Sequence, residues 1–406
     1  VSRMSVVIIG AGHAGTTAAA ALRKLDKDIK ISLVSEEGSS PYQRPPLSKK
    51  TIFSVTQNYD LILGKDFYNK NNIQLNLNSA VEEINPIQSY VRLNSNKIIE
   101  YDQLIIATGS IGYKLNIPGG ELAQKLYSIN DAQKLAKSIA KAKNVVVIGG
   151  GFIGCEIASG AQKQNKEVTL LEAGPSILGR SVAPIFAESV SKIHQSQGIN
   201  ILTNCNALSV NNRGIETASS FVPADLVVAG IGVTPNIELA SKANLDTDNG
   251  ILVNKLLQTS NENIFAIGDI ANFPFQSDSG RLRLESIQNA NEQAKIAAKN
   301  IIALRNNHEP QSYSPIPWFW SDQGDLKLQM VGVGKLNAKH HVLENQTAGT
   351  LTVLHLEDGQ LVAIDTLNHG VNHICGRKLL SNKKPILLDD IERFKGDLKS
   401  LVKELN

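Results

Sequence analysis

Apolar residues fall into short, nearly unbroken runs over the first three quarters of the chain. Two of these runs, Ser5–Ile9 and Asn144–Ile148, each lead through a glycine-rich turn into a helical segment. A second apolar run then follows, Ile29–Val34 in the first case and Glu167–Leu171 in the second. Unbroken apolar runs that alternate with helical segments are typical of parallel strands buried on both faces. The pattern therefore predicts an α/β fold that contains a duplicated, nucleotide-sized unit.

The pattern changes after a proline-rich link at residues 313–317. From about residue 321, apolar positions alternate with polar ones, as they do at Leu326, Leu328 and Met330. Alternation with a period of two predicts an antiparallel sheet, and hence a C-terminal α+β domain. The tail repeats apolar residues at helical spacing and predicts one helix docked on the body; these residues are Leu387, Ile391, Phe394, Leu398 and Leu401.

Each glycine-rich turn has the spacing Gly-x-Gly-x-x-Gly, and an acidic residue ends the strand after it. The first glycine makes a tight turn, the second lets the backbone approach a pyrophosphate, and the third packs helix against strand. The helix N-terminus offers N–H groups to the phosphates, and the acid accepts hydrogen bonds from ribose hydroxyls. One copy consists of Gly10, Gly12, Gly15 and Glu36, and the other of Gly149, Gly151, Gly154 and Glu172.

Two such motifs predict two bound dinucleotides. The usual pair is FAD and a nicotinamide nucleotide, between which a hydride passes. A carboxylate at Glu172 suits the free 2′-hydroxyl of NADH and repels the 2′-phosphate of NADPH. We therefore expect FAD and NADH as the cofactors.

Composition narrows the class of protein further. The 406 residues indicate two or three domains, and 42% hydrophobic with 19% charged residues excludes a disordered or coiled-coil chain. No apolar run reaches the length of a transmembrane helix, and no export signal precedes the first strand. Three scattered cysteines indicate a reducing compartment, so we expect a cytoplasmic protein with no membrane partner. A net charge of +3 is too weak to indicate a nucleic-acid partner.

Two longer segments resemble a known family, the NADH-dependent ferredoxin reductases of bacterial oxygenase systems. Putidaredoxin reductase, rubredoxin reductase and apoptosis-inducing factor are relatives within it. The segments are Pro41-Tyr42-Gln43-Arg44-Pro45-Pro46-Leu47-Ser48-Lys49 and Pro317-Trp318-Phe319-Trp320-Ser321-Asp322-Gln323-Gly324. The resemblance extends over essentially the whole chain.

This resemblance implies a glutathione-reductase-like architecture of two Rossmann-like nucleotide-binding domains and a C-terminal α+β domain. The FAD-binding domain would comprise residues 1–112 and 245–320. The NAD-binding domain would comprise residues 113–244, and an interface domain residues 321–406.

The resemblance also implies roles for individual residues. It places Glu37 with Glu36 at the FAD ribose, and Asp269 at the ribityl chain. Lys49 would lie near flavin N5 and pair with Glu156, where a cation stabilises reduced flavin; this pair is the expected catalytic element. The other implied cofactor contacts are Arg44, Val81, Ile153, Gly230, Gly232, Glu285 and Trp320.

The implied function is an FAD-dependent NADH:ferredoxin reductase. It would pass electrons singly to a [2Fe-2S] ferredoxin, plant-type or Rieske-type, that serves an oxygenase or a cytochrome P450. Two alternatives stay open: a rubredoxin reductase, and an NADH-binding redox sensor similar to apoptosis-inducing factor. Arg281, Arg283 and Lys327 are candidate cations for docking an acidic ferredoxin.

Cysteine positions weigh against a disulfide reductase on the same scaffold. Such enzymes need a thiol facing the flavin, and the loop that would present it, Tyr42–Pro45, has none. His369, His373 and Cys375 lack a fourth ligand, so we expect no metal site. His194 and His355 are interpreted as surface or packing residues.

Overall fold

The computed structural model of the chain describes residues 3–54, 59–335, 338–343 and 349–405. The helices are α1 (His13–Leu25), α2 (Phe67–Lys70), α3 (Ile129–Lys141), α4 (Phe152–Lys163), α5 (Pro184–Ser196), α6 (Glu238–Lys242), α7 (Ile287–Arg305), α8 (Gly370–Leu380), α9 (Leu388–Arg393) and α10 (Leu398–Leu405).

The strands are β1 (Ser5–Ile9), β2 (Lys30–Val34), β3 (Ile73–Asn76), β4 (Val81–Asn85), β5 (Tyr90–Leu93), β6 (Ile98–Glu100), β7 (Gln103–Ile106), β8 (Ser110–Gly112), β9 (Gln124–Lys125), β10 (Asn144–Ile148), β11 (Glu167–Leu171), β12 (Ile199–Leu202), β13 (Ala207–Asn211), β14 (Gly214–Thr217), β15 (Phe221–Pro223), β16 (Leu226–Ala229), β17 (Val233–Pro235), β18 (Thr247–Asp248), β19 (Gly250–Leu252), β20 (Ile264–Ala266), β21 (Ala271–Phe275), β22 (Ser277–Leu282), β23 (Trp318–Gln323), β24 (Leu326–Gly332), β25 (Lys339–Val342), β26 (Leu351–Glu357) and β27 (Gln360–Leu367).

The chain divides into two compact units. Unit 1 comprises residues 1–44, 59–111 and 233–315, and unit 2 comprises residues 45–58, 112–232 and 316–406. The short segment that follows Arg44 and carries Lys49 therefore belongs to unit 2. The four-segment division into cofactor domains stays a prediction.

Unit 1 is built on a parallel sheet in the order β20-β7-β1-β2-β3. Ile8 of β1 lies opposite Leu33 of β2 on one side and Ile105 of β7 on the other, and all three are fully buried. Helix α1 packs in this core through small residues, Ala18 and Ala19, which allow its backbone to approach closely. The unbroken apolar runs of the sequence are thus central strands, as predicted.

Unit 2 repeats the arrangement with the sheet β12-β11-β10-β16-β9. Val147 of β10 lies opposite Leu170 of β11 and Val228 of β16, in parallel register. Helix α4 starts directly after the second glycine-rich turn, as α1 does after the first. The duplicated α/β unit predicted from the sequence is confirmed.

The C-terminal part of unit 2 is an antiparallel sheet in the order β23-β24-β27-β26-β25, as the period-two pattern predicted. On one face, Phe319 of β23 contacts Phe152 of α4, with ring centroids 4.7 Å apart. On the other face, Gly376 of α8 lies against Val331 and Ile364 of the sheet. The sheet is therefore covered on both sides.

The prediction of a single tail helix was wrong. The chain forms two helices there, α9 and α10, separated by Lys395 and Gly396, which both have positive φ angles of 53° and 76°. Asp397 then accepts hydrogen bonds from the backbone N–H groups of Lys399 and Ser400, which starts α10 afresh. Apolar residues of both helices, including Ile391, Leu398 and Leu401, are buried in one core, so the helical spacing continues across the break.

Across the described ranges, none of the helices combines the length and the apolar character needed to cross a lipid bilayer.

Candidate functional site

The first glycine-rich turn lies between β1 and α1 in unit 1. A Cβ atom on Gly10, whose φ is 102°, would lie 2.2 Å from the Ala107 carbonyl oxygen, and one on Gly15 would lie 1.9 Å from the Gly10 carbonyl oxygen. Both positions therefore need glycine for packing alone. A Cβ on Gly12 would find its nearest atom, Arg44 Nε, at 3.8 Å. Gly12 is thus the position that leaves space for a bound group.

The start of α1 is suited to an anion. Within the described part of the chain, no side chain caps the helix at Gly12, and its first turn has no acidic residue. The first backbone N–H groups of a helix lack intrahelical acceptors and carry a partial positive charge. Uncapped N–H groups beside an open Gly12 fit a dinucleotide pyrophosphate.

The two acidic residues after β2 have different surroundings. Glu36 is exposed, whereas Glu37 is half-buried and accepts hydrogen bonds from Tyr42 Oη and Arg44 Nη2, each at 2.6 Å. Arg44 is thereby held beside the glycine-rich turn. The contacts of Glu36 and Glu37 with FAD stay predictions.

Asp269 lies at the end of β20, in a short 3₁₀ turn from Gly268 to Ile270. Burial and the neighbouring Glu285 carboxylate raise the pKa of Asp269 to about 7, against the opposing effect of Arg283 and Arg44. Arg283 also donates a hydrogen bond to the Asp269 carbonyl oxygen and pairs with Glu285 at 2.8 Å. Asp269, Glu285 and Arg44 are therefore parts of one charged cluster in unit 1.

The second glycine-rich turn, in unit 2, repeats the geometry of the first. A Cβ on Gly149 would lie 2.4 Å from the Gly230 carbonyl oxygen, and one on Gly154 would lie 1.9 Å from the Gly149 carbonyl oxygen. A Cβ on Gly151 would meet no described atom within 4 Å. Gly230 therefore packs directly against this turn, and its contact with the cofactor stays a prediction.

Glu172 is anchored to the same turn. Its Oε2 atom accepts a hydrogen bond from the Gly150 N–H at 2.8 Å, and its Oε1 atom accepts one from the Gly174 N–H at 2.7 Å. The half-buried carboxylate is thus fixed next to the open Gly151, where it suits a ribose hydroxyl. Two more of the predicted contacts lie in unit 2: Ile153 is 44% exposed at the start of α4, and Gly232 accepts a hydrogen bond from the Tyr113 N–H.

Lys49 and Glu156 form the ion pair that the resemblance implied. The Lys49 Nζ atom lies 3.1 Å from Glu156 Oε1 and donates a weaker hydrogen bond to the Pro45 carbonyl oxygen at 3.3 Å. Glu156 is only 4% exposed, whereas the Lys49 side chain retains partial access to solvent. A buried carboxylate that anchors an accessible ammonium can hold a positive charge at one defined point.

Trp320 lies half-buried on β23, and its ring is 5.6 Å from that of Trp318 and 6.4 Å from that of Phe319. The Arg377 guanidinium covers Trp318 at 4.5 Å. Val81 opens β4 and packs, half-buried, against the core of unit 1. The roles of Trp320 and Val81 beside a cofactor stay predictions.

Four residues around Glu156 were missed in the sequence. Ser48 and Ser321 donate hydrogen bonds to its carboxylate, and Gln323 and His194 extend the contacts behind Ser321. Three of them lie in the two segments that resemble the family, which was the only available signal. His194, interpreted as a surface or packing residue, is a packing residue: it is 1% exposed, and it is also hydrogen-bonded to Gln323.

Two of the candidate docking cations, Arg281 and Arg283, form hydrogen bonds or ion pairs within unit 1. Arg283 has a side chain only 10% exposed and bonds Glu285 and Asn249. Arg281 donates to the Val253 and Asn272 carbonyl oxygens. The proposal that Arg283 belongs to a docking rim was therefore wrong, while Lys327 is exposed.

The cysteines are unbridged, and burial raises the pKa of the Cys155 and Cys375 thiols. These two thiols are consequently poor nucleophiles. Over the residues that the structure describes, no three histidine, cysteine or carboxylate side chains gather as metal ligands.

The chain matches two protein-family models. The pyridine nucleotide-disulphide oxidoreductase model matches residues 4–294, and the reductase C-terminal model matches residues 318–402. The first model alone accounts for more than half of the chain.

Three known reductases are similar along nearly their whole length. Rhodocoxin reductase from Rhodococcus erythropolis is 36% identical over 405 residues, which is 98% of this chain and 94% of that one. Rubredoxin-NAD(+) reductase from Pseudomonas putida is 35% identical over 374 residues, 90% and 96% of the two chains. Putidaredoxin reductase from Pseudomonas putida is 33% identical over 396 residues, 94% and 93% of the two chains.

Solved structures agree with these relationships. The ferredoxin reductase for the CYP199A2 system from Rhodopseudomonas palustris superposes with a TM-score of 0.92 at 33% identity, covering 98% of this chain and 99% of that one. The solved structure of the covalent putidaredoxin reductase–putidaredoxin complex gives a TM-score of 0.91 at 32% identity, covering 100% of this chain and 98% of that one. The chain therefore belongs to the pyridine nucleotide-disulphide oxidoreductase family, and within that family to the ferredoxin and rubredoxin reductases.

Proposed function

We propose that the protein is an FAD-dependent NADH:ferredoxin reductase that delivers electrons to a small iron–sulfur protein. The observation that carries the proposal is the Lys49–Glu156 pair, a defined positive charge in a chain with two open glycine-rich turns. Relatives at 33–36% identity act, by their names, on rhodocoxin, rubredoxin and putidaredoxin. We place the enzyme in the cytoplasm.

The residues of unit 1 fit FAD. The N–H groups at the start of α1 and the space at Gly12 would receive the pyrophosphate, with Arg44 nearby as a counter-charge. Asp269 would accept a hydrogen bond from a hydroxyl of the ribityl chain, and that bond would favour the ionised carboxylate, whose pKa burial raises. Glu36 and Glu37 would bind ribose.

The residues of unit 2 fit NADH. Gly151 and the start of α4 would receive its pyrophosphate, and Glu172 would accept hydrogen bonds from the adenosine ribose. A 2′-phosphate would bring negative charge against the Glu172 carboxylate, which the backbone N–H groups of Gly150 and Gly174 hold in place. The preference for NADH over NADPH follows from this repulsion.

A bound FAD would supply the acceptor for a hydride from NADH and the donor of single electrons to the iron–sulfur protein. The role of the chain's own residues is to orient the cofactors and to stabilise the charge that develops on them. Lys49 supplies a positive charge that favours the reduced, more negative cofactor, and Glu156 fixes the direction of the Lys49 ammonium. The buried thiols of Cys155 and Cys375 take no part, because burial raises their pKa values.

A rubredoxin reductase is the second candidate, and its support is the 35% identity with rubredoxin-NAD(+) reductase. Both candidates share the cofactors and the first half of the reaction. They differ only in whether the acceptor holds a [2Fe-2S] cluster, plant-type or Rieske-type, or a single iron.

The test is NADH-driven cytochrome c reduction by the purified yellow protein. It is run alone and with a plant-type ferredoxin, a Rieske-type ferredoxin or a rubredoxin. We expect strong stimulation by one ferredoxin, and stimulation by rubredoxin alone would select the second candidate. Slow flavin reduction without stimulation by any carrier would favour an NADH-binding sensor instead and contradict the proposal.

A further inference from the structure

The buried carboxylate of Glu156 accepts hydrogen bonds from two serine side chains in addition to its ion pair with Lys49. Its Oε1 atom also accepts a hydrogen bond from Ser321 Oγ at 2.7 Å, and its Oε2 atom accepts one from Ser48 Oγ. Ser321 is fully buried and Ser48 nearly so. Protein donors rather than water therefore offset the free-energy cost of burying this charge.

The contacts continue behind Ser321 into the interior of unit 2. Gln323 Nε2 lies 3.2 Å from Ser321 Oγ, and His194 Nε2 lies 2.8 Å from Gln323 Oε1. Ser321 and Gln323 are two residues apart on β23, so their side chains leave the same face of the strand. That face also carries Phe319, which packs on α4, and it meets His194 of α5.

The direction of these hydrogen bonds follows from the chemistry of the end groups. An ionised carboxylate only accepts, so Ser321 donates its hydroxyl proton to Glu156 and its oxygen is left to accept from the Gln323 amide. Gln323 Oε1 then also accepts, which requires the proton of His194 to reside on Nε2. Burial lowers the pKa of His194, which favours the neutral ring, and the hydrogen bond to Gln323 Oε1 selects the tautomer with its proton on Nε2.

We propose that Ser321, Gln323 and His194 are positioning residues, which hold the Glu156 carboxylate against Lys49 through a one-way chain of hydrogen bonds. The inference rests on the proposed function, because it assigns the Lys49–Glu156 pair to flavin reduction. All three donors point toward Glu156, and aligned hydrogen bonds of this kind strengthen one another. Strand β23 of the C-terminal sheet thereby contributes to the reaction with NADH.

The first test examines the chain of hydrogen bonds directly, by ¹⁵N NMR of the histidine rings in the holoenzyme. We expect His194 to carry its proton on Nε2 at pH 8, and to lose this fixed tautomer in Gln323→Met. A His194 ring protonated on Nδ1 alone would have no proton to donate to Gln323 Oε1, and this result would overturn the proposal.

The second test measures flavin reduction by NADH in rapid mixing, together with the flavin midpoint potential. Ser321→Ala removes a hydrogen bond to a charged group, so we expect reduction to slow about tenfold, with the Kd for NADH unchanged and the potential lowered. Gln323→Met should slow it less. Gln323→Glu keeps the shape but adds a second carboxylate near Glu156, so it should slow reduction more than Gln323→Met does.

Thr366→Val is the matched control, because Thr366 is also fully buried in the same sheet and donates one hydrogen bond, to the Gln329 carbonyl oxygen. It should lower the Tm while leaving the potential and the reduction rate at wild-type values. If the Ser321 and Gln323 variants behave like Thr366→Val, their role is structural and the inference is wrong. Lys49→Met tests the proposed function separately from the positioning role of Ser321 and Gln323. If Lys49→Met also leaves flavin reduction unchanged, the proposed role of the Lys49–Glu156 pair is wrong as well.

Discussion

Asp269 is a half-buried carboxyl group whose ionisation depends on three charged neighbours. Burial and Glu285 raise its pKa to about 7, while Arg283 and Arg44 act in the opposite direction. A carboxyl group with a raised pKa opposes folding at high pH, because the unfolded chain releases the proton more readily than the folded one. The free energy of unfolding therefore falls as the pH rises from 3.8, the ordinary pKa, to about 7.

We predict that Asp269→Asn stabilises the FAD-free protein and weakens FAD binding. At pH 8 its free energy of unfolding in urea should exceed that of the wild type by up to about 4 kcal/mol, and below pH 4 the difference should vanish. The exposed aspartate of the same unit, Asp248, provides the control Asp248→Asn, which should change neither quantity. An equal effect of Asp269→Asn at both pH values would contradict the argument.

The strand–turn–helix unit occurs twice in the chain, as β1-α1 and as β10-α4. In both copies the third glycine touches the first, with a Cβ position 1.9 Å from its carbonyl oxygen, whereas the second glycine faces open space. The third glycine is thus required by packing, and the second is free to serve a ligand. Glycines with the same motif position have the same role in β1-α1 and in β10-α4.

We predict opposite outcomes for alanine at these two positions. Gly151→Ala should fold within about 1 kcal/mol of the wild type, because its φ is −76°, but it should bind NADH at least about tenfold more weakly. Gly154→Ala should lose about 3 kcal/mol or fail to fold, because its Cβ would overlap the Gly149 carbonyl oxygen. Urea denaturation and NADH titration by fluorescence measure both effects.

The first copy supplies an independent check. Gly12→Ala should give a folded protein that is colourless because it holds no FAD, whereas Gly15→Ala should not fold. A yellow Gly12→Ala protein with normal FAD affinity would show that the open position is not a phosphate site.

At the scale of the whole molecule, a net charge of +3 gives little long-range attraction for an acidic ferredoxin. Association then depends on individual exposed cations. Lys327 is such a cation on β24, where it lies opposite Asp322 of β23, on the strand face that also carries Trp320. Arg283, in contrast, is engaged inside unit 1.

We predict that Lys327→Glu slows reduction of an acidic ferredoxin by about threefold or more at low salt, with the difference shrinking near about 1 M salt. NADH-to-dye activity should be unchanged. Lys97→Glu, in the turn between β5 and β6, alters net charge equally and should have no effect. Equal slowing by both variants would mean that only net charge matters.

The amino-acid sequence by itself determined the two strand–turn–helix units, because their signals are local: an apolar run, three glycines at fixed spacing and an acid at the next strand end. It also determined the antiparallel character of the C-terminal sheet through alternation. The break between α9 and α10 escaped it, since apolar spacing does not reveal the left-handed backbone of Lys395 and Gly396.

Only the tertiary structure decided which polar residues meet. Glu156 accepts hydrogen bonds from Ser48, 108 positions away in the sequence, and from Ser321, 165 positions away. His194 and Gln323, which are hydrogen-bonded to each other, are 129 positions apart. No periodicity encodes such pairs, because they form where the segment at Pro45–Ser48 and the C-terminal sheet pack on α4 and α5. The same reason explains Arg283, which was predicted to be a surface cation but donates hydrogen bonds to Asn249 and to the Asp269 carbonyl oxygen, 34 and 14 positions away.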